Sequence, residues 1–160
     1  MQNVKIHVYE ANFDVGEEYR YLADDAKFGA VVTFTGLVRE LQSGKLTAMT
    51  LEHYPAMTEK ALAAIVSEAQ ERWPLGRVTV IHRVGRLTLN EQIVFVGVAS
   101  AHRNAAFAAA EFIMDFLKTR APFWKKEHTN DGDYWVTAKT SDEQAAQRWQ
   151  ANKDALDNEG

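Results

Sequence analysis

The 160-residue sequence predicts an α+β domain with mixed and antiparallel sheets and about four helices. Several predicted strands follow one another without an intervening helix, which favours antiparallel pairing. The composition, 46% hydrophobic and 25% charged, is typical of a globular chain with a real core. No repeat or linker divides the sequence. We therefore expect one domain over residues 1–150 and a frayed polar tail over 151–160.

The first third of the chain is predicted to be strand, helix and strand. Val4–Tyr9 alternates apolar and polar residues, as a half-buried strand does. Asp14 and Glu17 form a capping box for a helix that continues to about Asp25. The β-branched run over residues 29–35 predicts a strand buried on both faces.

A strand and a helix are expected next. Ala48–Tyr54 is the predicted strand, and Pro55 ends it. We expect Thr58 to cap a helix that runs to about Trp73 with apolar residues at core spacing.

Two strong strands then lead into the longest helix. The strands are predicted at Val78–Val84 and Gln92–Ser100, and Ser100 is a good N-cap for the helix that follows. Pro122 disfavours helical backbone at the residue before it, so the helix should end near Arg120.

The last elements are predicted to be short. His128–Asp133 is interpreted as a turn and Tyr134–Ala138 as a strand. A short helix is expected to start around Ser141 and Gln144 and to run through Trp149.

Two polar segments suggest contact with a ligand. Lys118, Arg120, Lys125 and Lys126 place four cations in nine residues, among aromatic and apolar neighbours and without an acid between them. Such a patch suits a flat, anionic ligand, although cations at a helix end also favour the helix dipole as ordinary surface. Arg39 follows a predicted strand in a turn, where ligand contacts are common.

Helix geometry separates two groups of candidate residues. His102 and Arg103 lie in the first turn of the long helix, and Lys118 lies about 15 residues later, or roughly 22 Å along the axis. Both ends cannot line one small-molecule site within one chain. Either they serve different sites or a second copy of the chain supplies one end, which predicts a homodimer.

The composition excludes several kinds of chemistry. The chain has no cysteine, so a thiolate nucleophile and a zinc–thiolate site are excluded. The five histidines are scattered singly and predict no metal site. The two glycine-rich nucleotide-binding motifs, GxGxxG and the P-loop, are both absent, so no cofactor is expected. Net charge −4 argues against non-specific nucleic-acid binding. Without a signal peptide or an apolar span, we expect a cytoplasmic protein.

The sequence resembles the large, catalytic subunit of molybdopterin synthase. The resemblance extends over about residues 4–149 and is carried by five long, collinear stretches. These stretches are residues 31–39, 51–62, 72–85, 93–103 and 112–127. The segment Glu40–Lys45, which we interpret as a mobile hairpin tip or lid, and the tail after Trp149 depart most from the family pattern.

The resemblance implies a sulfurtransferase. Enzymes of this family convert cyclic pyranopterin monophosphate into molybdopterin by adding two sulfurs as a dithiolene. The sulfur arrives as a thiocarboxylate on the C-terminal glycine of a small ubiquitin-like partner subunit. The family's assembly is a heterotetramer, with a central homodimer of the large subunit and one small subunit at each end. The fold implied is an α/β hammerhead with an added antiparallel sheet.

The resemblance also assigns functional residues. Lys118 corresponds to the essential lysine near the entry of the partner's tail, and Lys125 to a second active-site lysine. Lys126 and Glu127 extend that substrate-binding segment. The remaining substrate-binding residues form a loop and a pair at the dimer boundary. They are Leu37, Val38 and Arg39 in the loop, and His102 and Arg103 in the pair.

Two other functions are compatible with the same residues. The lysines could bind an anion or a partner's C-terminal carboxylate without catalysing a reaction. Phe123, Trp124, Lys125 and Lys126 could bind single-stranded nucleic acid by stacking and charge, although the basic run is short.

Overall fold

Two four-stranded sheets and four helices make up the computed structural model, which describes residues 3–40, 45–136 and 144–149. The α+β class, with one mixed and one antiparallel sheet, is confirmed. The predicted tail over 151–160 and most of the predicted lid lie outside the described residues. The elements in chain order are β1 (Val4–Tyr9), α1 (Val15–Ala23), β2 (Ala30–Leu37), β3 (Leu46–His53), α2 (Met57–Arg72), β4 (Leu75–Arg83), β5 (Gly85–Thr88), β6 (Gln92–Ser100), α3 (Arg103–Arg120), β7 (Phe123–Thr129), β8 (Gly132–Val136) and α4 (144–149).

The first sheet forms the centre of the domain. Its strand order is β1-β4-β6-β2, with β1 parallel to β4 and the other two pairs antiparallel. Helices α2 and α3 cover one face, where Ile65 and Phe112 pack with strand residues such as Val80 and Val96. None of the helices among the described residues is long and apolar enough to span a lipid bilayer.

Helix α1 covers the opposite face of this sheet. Asp14 is its N-cap and accepts a hydrogen bond from the Glu17 amide at 3.0 Å, as predicted. Leu22 packs with Ile81 and Phe95 in a second cluster. The approach is close at Gly97, where an added Cβ would lie 2.2 Å from Leu22 Cδ1. Glycine is therefore required there to let α1 reach the sheet.

The second sheet is antiparallel throughout, with strand order β5-β3-β7-β8. Its inner face has a smaller apolar core that includes Val38, Met49, Leu51 and Leu87. Because α3 ends at Arg120, as Pro122 predicts, the chain turns directly from this helix into β7.

The prediction for β2 is wrong in one respect. The strand is not buried on both faces but lies at the edge of the first sheet. Phe34 and Leu37 remain 44% and 50% exposed. An apolar run does not distinguish an edge strand from a central strand, since that depends on which elements the rest of the fold places beside it.

Other local predictions also need correction. Strands β5 and β7 were not expected, and the turn predicted for His128–Asp133 is limited to residues 130 and 131. Ser100 does not cap α3: it ends β6 and its hydroxyl donates to the Pro74 carbonyl at 2.8 Å, while His102 is the N-cap. Thr58 lies inside α2, whose N-cap is Ala56, and it bonds backbone groups instead.

Candidate functional site

A cavity of about 600 Å³ lies where α3, the edge strand β2 and the second sheet meet. The end of α3 forms one wall with Met114, Leu117 and Lys118. Strand β3 contributes Met49 and Leu51 from the inner face of the second sheet. The exposed apolar residues of β2 lie at the rim. The size of the cavity is suited to a small molecule or the tail of a peptide.

Two lysines from successive elements line this cavity. Lys118 lies in the last turn of α3, where a cation also interacts favourably with the helix dipole. Lys125 is the third residue of β7, on the cavity side of the strand. The break at Pro122 reverses the chain between them, so the structure brings the two lysines to one concave surface.

The loop after β2 supplies a third cation. Arg39 and Leu37 both line the cavity. Val38, between them, points away into the core and is fully buried. Its amide donates to the Glu91 carbonyl at 2.9 Å and its carbonyl accepts from the Asn90 amide at 2.8 Å. Val38 therefore anchors the loop, while its neighbours are available to a ligand.

The cavity is positively charged, and its wall combines apolar side chains with a few uncharged polar groups such as those of Thr35 and His82. Among the described lining residues, Arg39, Lys118 and Lys125 are cations and none is an aspartate or a glutamate. The chain as a whole has a net charge of −4, so this concentration of positive charge is local. Over the described ranges there is no cluster of three or more histidine and acidic side chains that could hold a metal ion. The lining is suited to an anion with a flat apolar body.

The remaining predicted site residues do not line the cavity. His102 and Arg103 are exposed at the opposite end of α3. Because this helix is continuous, Arg103 and Lys118 are separated by about 22 Å along its axis. Lys126 lies on the other face of β7, with Nζ 5.4 Å from the Trp135 ring centre. Glu127 is half-buried in the β3–β7 ladder.

His82 was not predicted as a site residue, yet it forms part of the cavity wall. It is one of the five singly scattered histidines, which predicted no metal site. The side chain is 5% exposed, and its ring stacks on Phe123 at 3.8 Å and 20°. Its Nδ1 lies 2.8 Å from the Arg83 carbonyl oxygen. Only the strand order and the path of the chain after α3 reveal this position.

Burial determines the charge state of His82. Loss of hydration lowers the pKa of His82 to about 4, and the nearby Lys118 and His53 act in the same direction. The bond to the Arg83 carbonyl opposes these effects without overcoming them. At neutral pH the ring is therefore uncharged, and it adds a polar group to the cavity without adding charge.

The chain is similar to known proteins in both sequence and fold. The family model described as MoaE protein matches residues 8–120. The molybdopterin synthase catalytic subunit of Escherichia coli (strain K12) is 63% identical over 150 residues, which are 93% of this chain and 100% of that protein. A solved structure of the molybdopterin biosynthesis MoaE protein from Burkholderia ambifaria MC40-6 is 49% identical, with a TM-score of 0.79 and coverage of 92% of this chain and 98% of that one. A complex of subunits 1 and 2 of molybdopterin-converting factor from Helicobacter pylori 26695 is similar in fold, with a TM-score of 0.68, 18% identity and coverage of 85% and 91%.

Proposed function

Because the chain belongs to the MoaE family of molybdopterin synthase catalytic subunits, which are sulfurtransferases, we propose that the cavity described above is its active site. There it converts cyclic pyranopterin monophosphate into molybdopterin by the addition of two sulfurs. The observation that carries this proposal is the lining of the cavity of about 600 Å³: three cations, apolar side chains, and no aspartate or glutamate among the described lining residues. A pterin has a flat ring, and its cyclic phosphate is an anion, so both parts of the substrate find a suitable surface.

The sulfur must come from outside the chain. The chain has no cysteine, so it cannot hold sulfur as a persulfide of its own. We propose that a small ubiquitin-like subunit inserts its thiocarboxylated C-terminal tail into the cavity. A two-subunit complex exists for the distant Helicobacter pylori homologue. A thiocarboxylate is itself an anion, so the same cations would attract the tail and the substrate.

Lys118 and Lys125 have different proposed roles. The thiocarboxylate sulfur bonds to a substrate carbon, which gives up a bond to oxygen. Water then attacks the partner's acyl carbon, so the C–S bond breaks, the sulfur stays on the pterin and the partner's tail leaves as a carboxylate. Lys118 stabilises the negative charge that develops on the acyl oxygen. Transient capture of the acyl group by the Lys118 amine and proton transfer through it are the two alternatives that the same position allows. Lys125 binds the anionic substrate, together with Arg39.

A second copy of the chain would complete the site. His102 and Arg103 are too far from Lys118 to contact the same small molecule within one chain. The cavity opens along β2, an edge strand whose Phe34 and Leu37 are exposed, and edge strands with apolar residues favour pairing with another chain. We propose a homodimer in which His102 and Arg103 of one chain approach the cavity of the other. With one small subunit bound at each end, the assembly is a heterotetramer.

The direct test is product formation by the variant Lys118→Ala. With thiocarboxylated small subunit and cyclic pyranopterin monophosphate, we expect it to lose nearly all dithiolene product while it still binds the small subunit. Lys27→Ala is the matched control, because Lys27 is exposed in a turn outside the cavity lining. Wild-type turnover by Lys118→Ala would refute the assigned role. Absence of product from the wild-type protein itself would favour the non-catalytic tail-binding module.

A further inference from the structure

We propose that His82 is a positioning residue for Lys118: its Nε2 faces the cavity and accepts a hydrogen bond when the lysine ammonium turns into the cavity, a contact that is not made in this structure. This inference rests on the proposed function of the cavity, since it explains how the essential lysine is held in place. Lys118 is otherwise exposed, in the last turn of a helix, and none of the hydrogen bonds or ion pairs found in the described part of the chain fixes its ammonium group. A flexible lysine needs such a partner to hold a productive geometry.

The tautomer of His82 follows from its backbone contact. The Arg83 carbonyl can only accept a hydrogen bond, so Nδ1 of His82 must carry the proton that is donated to it. In the neutral ring, Nε2 then has a free lone pair and can only accept. Nε2 lies on the opposite side of the ring from Nδ1, and the residue lines the cavity together with Lys118. Lysine ammonium is a donor without acceptor capacity, so the two groups are complementary.

The orientation of the imidazole is fixed on two sides. Its face stacks on Phe123, the first residue of β7, with ring centres 3.8 Å apart. Its Nδ1 is held by the backbone of its own strand, β4, which lies inside the first sheet. An acceptor held so rigidly loses little conformational entropy when it binds the lysine.

His82 does not serve as a base in this arrangement. The charged neighbour that acts on it is Lys118 from α3, with His53 from β3 as a further titratable neighbour, and Lys125 from β7 lines the same cavity. All of them disfavour a second proton on the ring when they are charged. His82 therefore accepts a hydrogen bond and leaves the proton on Lys118.

The contact can be tested by NMR without any activity assay. In protein labelled with 15N-histidine, we expect the His82 signals to show a protonated Nδ1 and an unprotonated Nε2 at neutral pH. The variant Lys118→Ala should shift the Nε2 resonance, whereas the control Lys27→Ala should not. An Nε2 resonance that does not change in Lys118→Ala would overturn the proposal. Because no substrate is present, this result does not depend on whether the proposed function is correct.

Kinetics distinguish positioning from a purely structural role. The amide of His82→Asn can still donate to the Arg83 carbonyl, but it has no acceptor at the place of Nε2. We expect kcat to fall about 10- to 100-fold with little change in KM, the range for a lost hydrogen bond to a charged group. His82→Gln, whose side-chain oxygen reaches toward that place, should recover most of the loss. His7→Asn is the matched control, since His7 is exposed on β1. Wild-type kcat in His82→Asn, or equal losses in the Asn and Gln variants, would contradict the proposal.

Discussion

Acidification should destabilise the folded protein through His82. In the unfolded chain this imidazole has its ordinary pKa of 6.5, whereas burial lowers the pKa of the folded form to about 4. Between these values the unfolded state binds a proton that the folded state does not, so stability decreases as the pH falls. The contribution of His82 to the free energy of unfolding is fully present above pH 6.5 and is lost progressively as the pH falls toward 4.

The size of this effect follows from the difference between the two pKa values. Each pKa unit corresponds to about 1.4 kcal/mol, so the full loss is on the order of 3 kcal/mol. More than half of this loss of stability has occurred at pH 5, where we expect the protein to be about 2 kcal/mol less stable than at pH 7. The groups that face the ring, Lys118, Lys125 and His53, do not reverse the direction, because each is neutral or positive throughout this range.

Urea unfolding at pH 7 and at pH 5 would measure this effect, with wild type and His82→Asn at one fixed protein concentration. His82→Asn starts from a lower stability at pH 7 but should lose about 2 kcal/mol less than wild type on acidification. The pKa values of Glu91 and Asp133 are also lowered by their hydrogen bonds, but these groups are present in both proteins and cancel in the difference. The same pH dependence in wild type and variant would refute the reasoning.

Three further predictions concern the fold and the substrate site. Gly97→Ala should cost about 1–3 kcal/mol in urea unfolding, because its Cβ would overlap Leu22; unchanged stability would show that α1 can move away from the sheet. Asp14→Ala should cost about 1 kcal/mol by loss of the N-cap of α1, and a smaller loss in Asp14→Asn would confirm the capping role. Arg39→Ala should raise KM for the pterin substrate without weakening binding of the small subunit, as titrations of the two ligands would show; a loss confined to subunit binding would contradict its assignment to the substrate.

The part of the site that lies close together in sequence could be predicted from the sequence. Lys118 and Lys125 lie on either side of a proline break at the end of a helix, and local rules predict that break. The strand that carries Lys125 was not predicted. The exclusion of thiolate chemistry needed only the composition. The α+β class followed from the order of elements.

The parts that depend on long-range pairing could not be predicted. His82 reaches the cavity because β4 lies inside the first sheet and Phe123 returns beside it, and neither fact has a local signal. Strand β7 was missed because Phe123–Thr129 is mostly charged and polar, so pairing with β3 and β8 must override its weak β propensity. The apolar sequence of β2 predicted burial that a single chain does not provide. The homodimer that we propose would supply that burial.

The central claim is that each active site combines Lys118 of one chain with Arg103 of another, and subunit complementation tests it most directly. Lys118→Ala and Arg103→Ala are each expected to be inactive as homodimers. When equal amounts are unfolded and refolded together, half of the dimers should be mixed, and each mixed dimer has one site with both residues intact. We predict about a quarter of the wild-type rate of dithiolene formation from the mixture. A mixture no more active than its two parents would contradict a site shared between chains.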